Sequence, residues 1–197
     1  MTQSTIKLHR HDALLIVDVQ NDFLPGGSLA VVGAEAIIPV LNRYIDFFTL
    51  RSLPVFASRD WHPVRHCSFS DRGGPWPGHC VAGTPGAEFS SLLKLPQQLF
   101  VISKATHEDQ DAYSAFDGTN LANLFMQHGV ERLFIGGLAT DYCVLHTVQD
   151  ALKHGFAVSL LVDAVGAVNV VADAGERAID AMLSAGAVAL HVSEIIT

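Results

Sequence analysis

The sequence predicts an α/β domain of three layers: an open, mostly parallel sheet of six strands with helices on both faces. Three observations carry that expectation. Short apolar runs without strict polar alternation recur along the chain, as strands buried on both faces require. Helical segments fall between them, the rhythm of a parallel sheet built from crossovers. Apolar residues make up 49% of the 197 and charged residues only 16%, which suits a packed core and not a disordered chain. At this length the chain is expected to form one domain, 1–197. About 70% of the unfolded surface of such a domain can be buried, so no disulfide or metal staple is needed.

In order, the strand-like runs are ALLIV (13–17), PVFAS (54–58), LFVIS (99–103), RLFIGG (132–137), AVSLLV (157–162) and VALHV (188–192). Helices are expected over 34–51, 118–128, 140–154 and 172–185. The last has apolar spacing at Ala174, Ala178, Ala181, Met182 and Ala185 and stops at Gly186. Residues 60–98 break the rhythm. They hold five of the eight prolines and five of the 16 glycines, so they read as a long structured loop, a kind that is usually functional.

Composition excludes several partners. Twelve Lys and Arg stand against 20 Asp and Glu, a net charge of −8, and no basic run offers a footprint for nucleic acid. The polar start MTQSTIKLHRHD is followed by an apolar stretch, Ala13–Val17, too short for a signal segment. Asp163 and Asn169 interrupt the most apolar stretch, so no membrane span is expected. Cys67, Cys80 and Cys143 are an odd number of thiols, which fits a reducing, cytoplasmic setting. Whether copies of the chain form a homo-oligomer is left open by the sequence.

In open α/β sheets ligands sit beyond the carboxyl ends of the strands. Asp18 follows ALLIV, Lys104 follows LFVIS, and LATDYC, ending at Cys143, follows the glycines after RLFI. Each alone has a plain reading: a capping aspartate, a solvent-facing lysine, an inert core cysteine. Their convergence on one crevice is the informative part. Thr140 is expected to cap the following helix, placing Cys143 in its first turn, where the helix dipole and Lys104 would favour a thiolate. Asp18 could accept the thiol proton, and the N–H groups of Ala139 and Cys143 could hold an oxyanion.

A second constellation lies in the irregular stretch. Asp60 and His62 share one side of an extended segment, and His79 would complete a carboxylate and two-imidazole set with open positions. From spacing alone, a catalytic metal and no metal are level. A structural zinc on His66, Cys67, His79 and Cys80 is a weaker alternative, because no CxxC knuckle is present. Walker A, GxGxxG and HExxH patterns are also absent.

The pieces LLIVDVQNDFLPGGSLAV, SRDWHP, GPWPGHCVAGTPGAEF, ISKATHEDQDAYSAFDGT and GGLATDYCV resemble the nicotinamidases of the isochorismatase-like cysteine hydrolase superfamily, from residue 12 to the C-terminus. The Asp–Lys–Cys order matches the superfamily, and the DWH and WPGHC block matches nicotinamidases within it. The resemblance implies a catalytic triad of Asp18, Lys104 and Cys143 and a divalent ion on Asp60, His62 and His79. That ion is zinc most often, with iron or manganese as alternatives; some members add a loop histidine, here His66. It also implies a non-proline cis peptide between Leu138 and Ala139, with the Ala139 and Cys143 N–H groups facing the oxyanion. Phe23, Trp76, Tyr113, Leu138 and Ala139 would surround the substrate ring. The implied reaction is hydrolysis of nicotinamide to nicotinate and ammonia through a thioester, for NAD salvage, with pyrazinamide also cleaved. The implied metal contact is with the pyridine nitrogen. The rivals are an amidohydrolase acting on ureido or carbamoyl compounds and a non-catalytic metal-binding module.

Overall fold

The computed structural model describes residues 5–196; residues 1–4 of the polar start and Thr197 lie outside the described residues. In chain order, β1 (Ile6–Lys7) precedes the six apolar runs, which all form strands. These are β2 (Asp12–Val17), β3 (Val55–Asp60), β4 (Leu99–Lys104), β5 (Arg132–Leu138), β6 (Ala157–Gly166) and β7 (Val188–Leu190). They make one six-stranded sheet in the order β4-β3-β2-β5-β6-β7, and every neighbouring pair is parallel. The last strand, β8 (Ile195–Ile196), pairs in parallel with β1, apart from the main sheet. These two short strands were not expected, since two residues carry no readable period.

The helices α1 (Ile37–Thr49), α2 (Leu121–Gln127), α3 (Leu145–Lys153) and α4 (Ala174–Ser184) divide between the faces. Leu14 and Ile16 of β2 join the core layer of α1, with Ile38, Leu41, Ile45 and Phe48. Ala13, Leu15 and Val17 join the other layer, with Leu121, Phe125, Val148 and Met182. Both faces of the strand are covered, which is why its sequence is apolar throughout and does not alternate. Phe48 meets Phe134 edge-on at 5.2 Å in one layer, and Phe56 meets Phe125 at 4.6 Å in the other. Truncating such a ring to alanine costs about 3–5 kcal/mol.

Element ends differ from expectation for local reasons. The helix expected from residue 34 opens with a 3-10 turn, Ala34–Ala36, before α1 begins. β6 runs on through Asp163 to Gly166. The chain tolerates a carboxylate there because the Tyr44 hydroxyl donates to its Oδ1 at 2.9 Å and the Val192 N–H to its Oδ2 at 2.8 Å. β7 ends at Leu190, shorter than VALHV, and the chain passes into a 3-10 turn at Val192–Glu194. Residues 61–98 are irregular apart from the 3-10 turns Ser70–Arg72 and Pro85–Ala87. No helix among the described residues is long and apolar enough to cross a membrane.

The strand order places a switch point between β2 and β5: the chain builds outward through β3 and β4 on one side and through β6 and β7 on the other. A crevice opens there beyond the carboxyl ends. At its floor Gly137 has φ +127°, and a Cβ on it would overlap the backbone of Val17. Glycine is what lets β5 approach β2 so closely.

Candidate active site

Four strand ends meet at this crevice. Asp18 directly follows β2, Asp60 ends β3, Lys104 ends β4, and Cys143 follows β5. The in-register pairing of Asp60 with Lys104 sets the last two strands level. Lys104 starts two strands from the seam, and its long stem returns its ammonium to the centre. Its Nζ donates to Asp60 Oδ1 at 2.5 Å and to the Ala112 carbonyl at 3.0 Å. It also stands 3.1 Å from Asp18 Oδ2 and 3.4 Å from Cys143 Sγ.

The charges around that ammonium are unequal. Burial opposes a charge on Lys104, but Asp18 and Asp60 hold it well above the usual lysine value. Burial also opposes the charge on Asp60; Lys104 and His62 overcome it and hold the carboxyl below the usual range. For Asp18 burial wins over Lys104, and its carboxyl is raised. The Ser58 hydroxyl donates to Asp18 Oδ1 at 2.7 Å, while Oδ2 has no aligned donor. Two carboxyls pushed apart in this way suit different tasks, and Asp18 is the one with the character of a base.

Cys143 departs from expectation. Burial raises its thiol well above the ordinary value, with Asp18 and Asp60 adding to the shift and Lys104 opposing it. The resting group is a thiol, so any attack by this sulfur would require its proton to leave. Thr140 is not the helix cap: the segment Thr140–Val144 is a π-helical turn whose cap position is Ala139, and no side chain bonds there. The Ala139 carbonyl instead accepts the N–H groups of Tyr142 and Val144, each at 3.1 Å, on either side of Cys143. The Leu138–Ala139 peptide is cis.

Asp60, His62 and His79 bring their ligand atoms within 4.8 Å of one another. The Nδ1 of His62 faces the His79 carbonyl at 3.0 Å, and that of His79 the Pro77 carbonyl at 2.8 Å. A carbonyl only accepts, so each Nδ1 carries the hydrogen and each Nε2 keeps a free lone pair. Burial pushes His62 down to about 4 and lowers His79 as well, so both rings are neutral ligands at physiological pH. This donor set fits a divalent ion. His66 stacks on His62 at 4.3 Å, but its Nδ1 meets Ser68 Oγ at 2.7 Å and its Nε2 the Gln110 carbonyl at 3.1 Å. Among the described residues, no candidate ligand cluster includes Cys67 or Cys80, which leaves the structural-zinc alternative without support.

The pocket over these groups is lined by Phe23, Trp76, Tyr113 and Ala139, four of the residues named from the sequence, and also by Leu29, Tyr142 and Val168. The Trp76 indole N–H donates to the Tyr113 hydroxyl at 3.0 Å, and Tyr142 packs against both rings. Leu138 is not a lining residue. It is fully buried in the core layer of α1. Gln20 was also missed: its amide donates to the Asp60 and Ala87 carbonyls and accepts the Asp60 N–H, each at 2.8 Å. That clamp fixes the backbone of Asp60. A polar residue two places beyond Asp18, in the stretch VDVQNDF, was the available signal.

A buried carboxyl, an ammonium and a buried thiol brought together at a switch point are the parts a cysteine hydrolase on an α/β sheet would use. The isochorismatase domain matches residues 12–194, and the chain belongs to that family. The relatives are narrower than the family. The chain is 38% identical to the nicotinamidase of Escherichia coli (strain K12) over 196 residues, covering 89% of this chain and 92% of that one. It superposes on the pyrazinamidase of Pyrococcus horikoshii, solved in complex with zinc, with a TM-score of 0.88 and 49% identity, covering 92% and 99% of the two chains. It superposes on PnC1 of L. infantum, solved in complex with nicotinate, with a TM-score of 0.90 and 40% identity, covering 98% of each.

Proposed function

We propose that the protein is a metal-dependent cysteine amidohydrolase that converts nicotinamide to nicotinate and ammonia, serving NAD salvage, and that it also cleaves pyrazinamide. The observation that carries this reading is one pocket lined both by Cys143, which Lys104 and Asp18 back from beneath, and by Asp60 and His79 of the three-residue ligand set. Its aromatic lining suits a flat ring. A ureido compound would leave that ligand set without a ring nitrogen to meet.

In the reaction Cys143 Sγ attacks the amide carbonyl while its proton passes to Asp18. The oxyanion is held by the N–H groups of Ala139 and Cys143. Asp18 then protonates the departing nitrogen, the C–N bond breaks, and ammonia leaves a thioester on Cys143. Water attacks the thioester as Asp18 takes its proton; the C–S bond breaks and Asp18 returns that proton to sulfur. Lys104 stays cationic throughout and stabilises each developing negative charge. A divalent ion on Asp60, His62 and His79, taken here as zinc with iron or manganese as other occupants of this donor set, would supply a Lewis-acid contact that orients and polarises a pyridine nitrogen. We take residues 1–197 as one catalytic domain, in keeping with its single main sheet covered on both faces. A cytoplasmic setting accords with three free thiols.

The test is to incubate the purified protein with nicotinamide and measure ammonia and nicotinate. Equimolar release of the two is expected. Release from a carbamoyl amide but not from nicotinamide would move the protein to the ureido class, and no release from either would leave a binding module.

A further inference from the structure

We propose that Asp141 is a positioning residue that holds Val168 in place as a wall of the substrate pocket and so sets the fit of the ring. This rests on the amidohydrolase reading above and concerns the same pocket. Asp141 lies two residues before Cys143, in the π-helical turn. Its carboxylate leaves that turn and reaches across to the end of β6. Oδ1 accepts the Val168 N–H at 2.9 Å, and Oδ2 accepts the Asn169 N–H at 2.8 Å. Two adjacent backbone donors thus converge on the two oxygens of one carboxylate.

The segment it grips lies just past the last sheet pairing of β6, at Gly166. Asn169 has φ +54°, in the left-handed region that asparagine tolerates better than most non-glycine residues. Its own side-chain oxygen accepts the Gly175 N–H at 2.9 Å, tying the segment onward to the start of α4. Val168 and Leu29 are the branched aliphatic residues of a lining otherwise made of aromatic rings, polar groups, Ala139 and Cys143. The nucleophile's turn and the pocket wall are therefore fixed to each other by one side chain. An asparagine at 141 would keep one acceptor and turn an amide N–H₂ toward the second backbone donor, so the wall would be released without emptying the site.

Two readouts test this. In Asp141→Asn, hydrogen exchange at the amides of Val168 and Asn169 should accelerate by about 10-fold or more, while β5 amides keep their protection. The KM for nicotinamide should rise by about 10-fold, with kcat changed by less than about 3-fold. Val168→Ala should raise KM in the same way with Asp141 intact. Unchanged exchange in Asp141→Asn would overturn the proposal. So would faster exchange with an unchanged KM, a fall in kcat alone, or an unaltered KM in Val168→Ala. If the unsubstituted protein fails to turn over nicotinamide, the amidohydrolase reading fails instead, and the exchange measurement still decides whether Asp141 holds the wall.

Discussion

One lysine carries the electrostatics of the site at the residue scale. Lys104 faces two carboxyls and a thiol, all nearly or fully buried, and its charge opposes the cost of burial on both carboxyls, overcoming it at Asp60 and not at Asp18. Lys104→Met should therefore abolish turnover and also destabilise the fold by about 3–5 kcal/mol, the cost of leaving buried charges without their partner. Urea unfolding read beside ammonia release checks both; full stability in the variant would mean the carboxylates have another counter-charge. Cys143→Ala should behave differently, losing all turnover while keeping its fold and bound metal, because its sulfur is no part of the ligand set. Metal content and ammonia release on one preparation decide this. Asp18, Lys104 and Cys143 were legible in sequence because each closely follows an apolar run, and the sheet converts that position into proximity. Leu29 and Val168 were not, since an aliphatic residue in a loop looks the same whether it faces a pocket or the core.

At the scale of elements, the seams between strands and helices decide how much may change. Gly137→Ala would drive a methyl group into the Val17 backbone where β5 meets β2, and should cost about 3 kcal/mol or more of stability, with activity falling as the crevice widens. A thermal midpoint equal to the parent's would contradict so close an approach. Between α1 and β6 the Tyr44 hydroxyl meets Asp163, and burial together with that carboxylate pushes it well above the ordinary value of 10.0. A raised value means the folded state holds the proton more tightly, so this stabilisation is complete below pH 10 and fades as pH climbs past it. The stability gap between the parent and Tyr44→Phe should be largest near about pH 8 and shrink by about pH 11, as measured by urea midpoints. A constant gap would mean the hydroxyl is not held by Asp163. The strands were readable because burial on both faces leaves uninterrupted apolar runs. The π-helical opening before α3 was not, because its cap is a backbone carbonyl at Ala139 and no capping side chain announces it.

For the whole molecule, metal occupancy should couple to stability and to substrate choice together. An ion that binds only the folded site stabilises by about 2.7 kcal/mol at a hundredfold excess over its Kd, or roughly 5–10 °C in Tm for a chain of this size. Chelation should reverse that shift, and Asp60→Asn should not show it. Nicotinamide and benzamide share a scissile bond, but benzamide has no ring nitrogen. The loaded enzyme should favour nicotinamide in kcat/KM by up to about 10⁴-fold, and chelation should narrow the difference. Equal rates on the two amides would leave Asp60, His62 and His79 a structural role only.

The pairing of β1 with β8 has a mechanical meaning. Parallel strands from opposite ends of the described chain lie side by side, Ile6 against Ile195 and Lys7 against Ile196. A force applied through the segments beyond them draws β1 backward and β8 forward along their shared axis. The ladder is then loaded in shear, with its hydrogen bonds sharing the tension at once instead of peeling open in turn. Two residues of strand on each side thus form a ladder oriented to resist shear between the segments it joins.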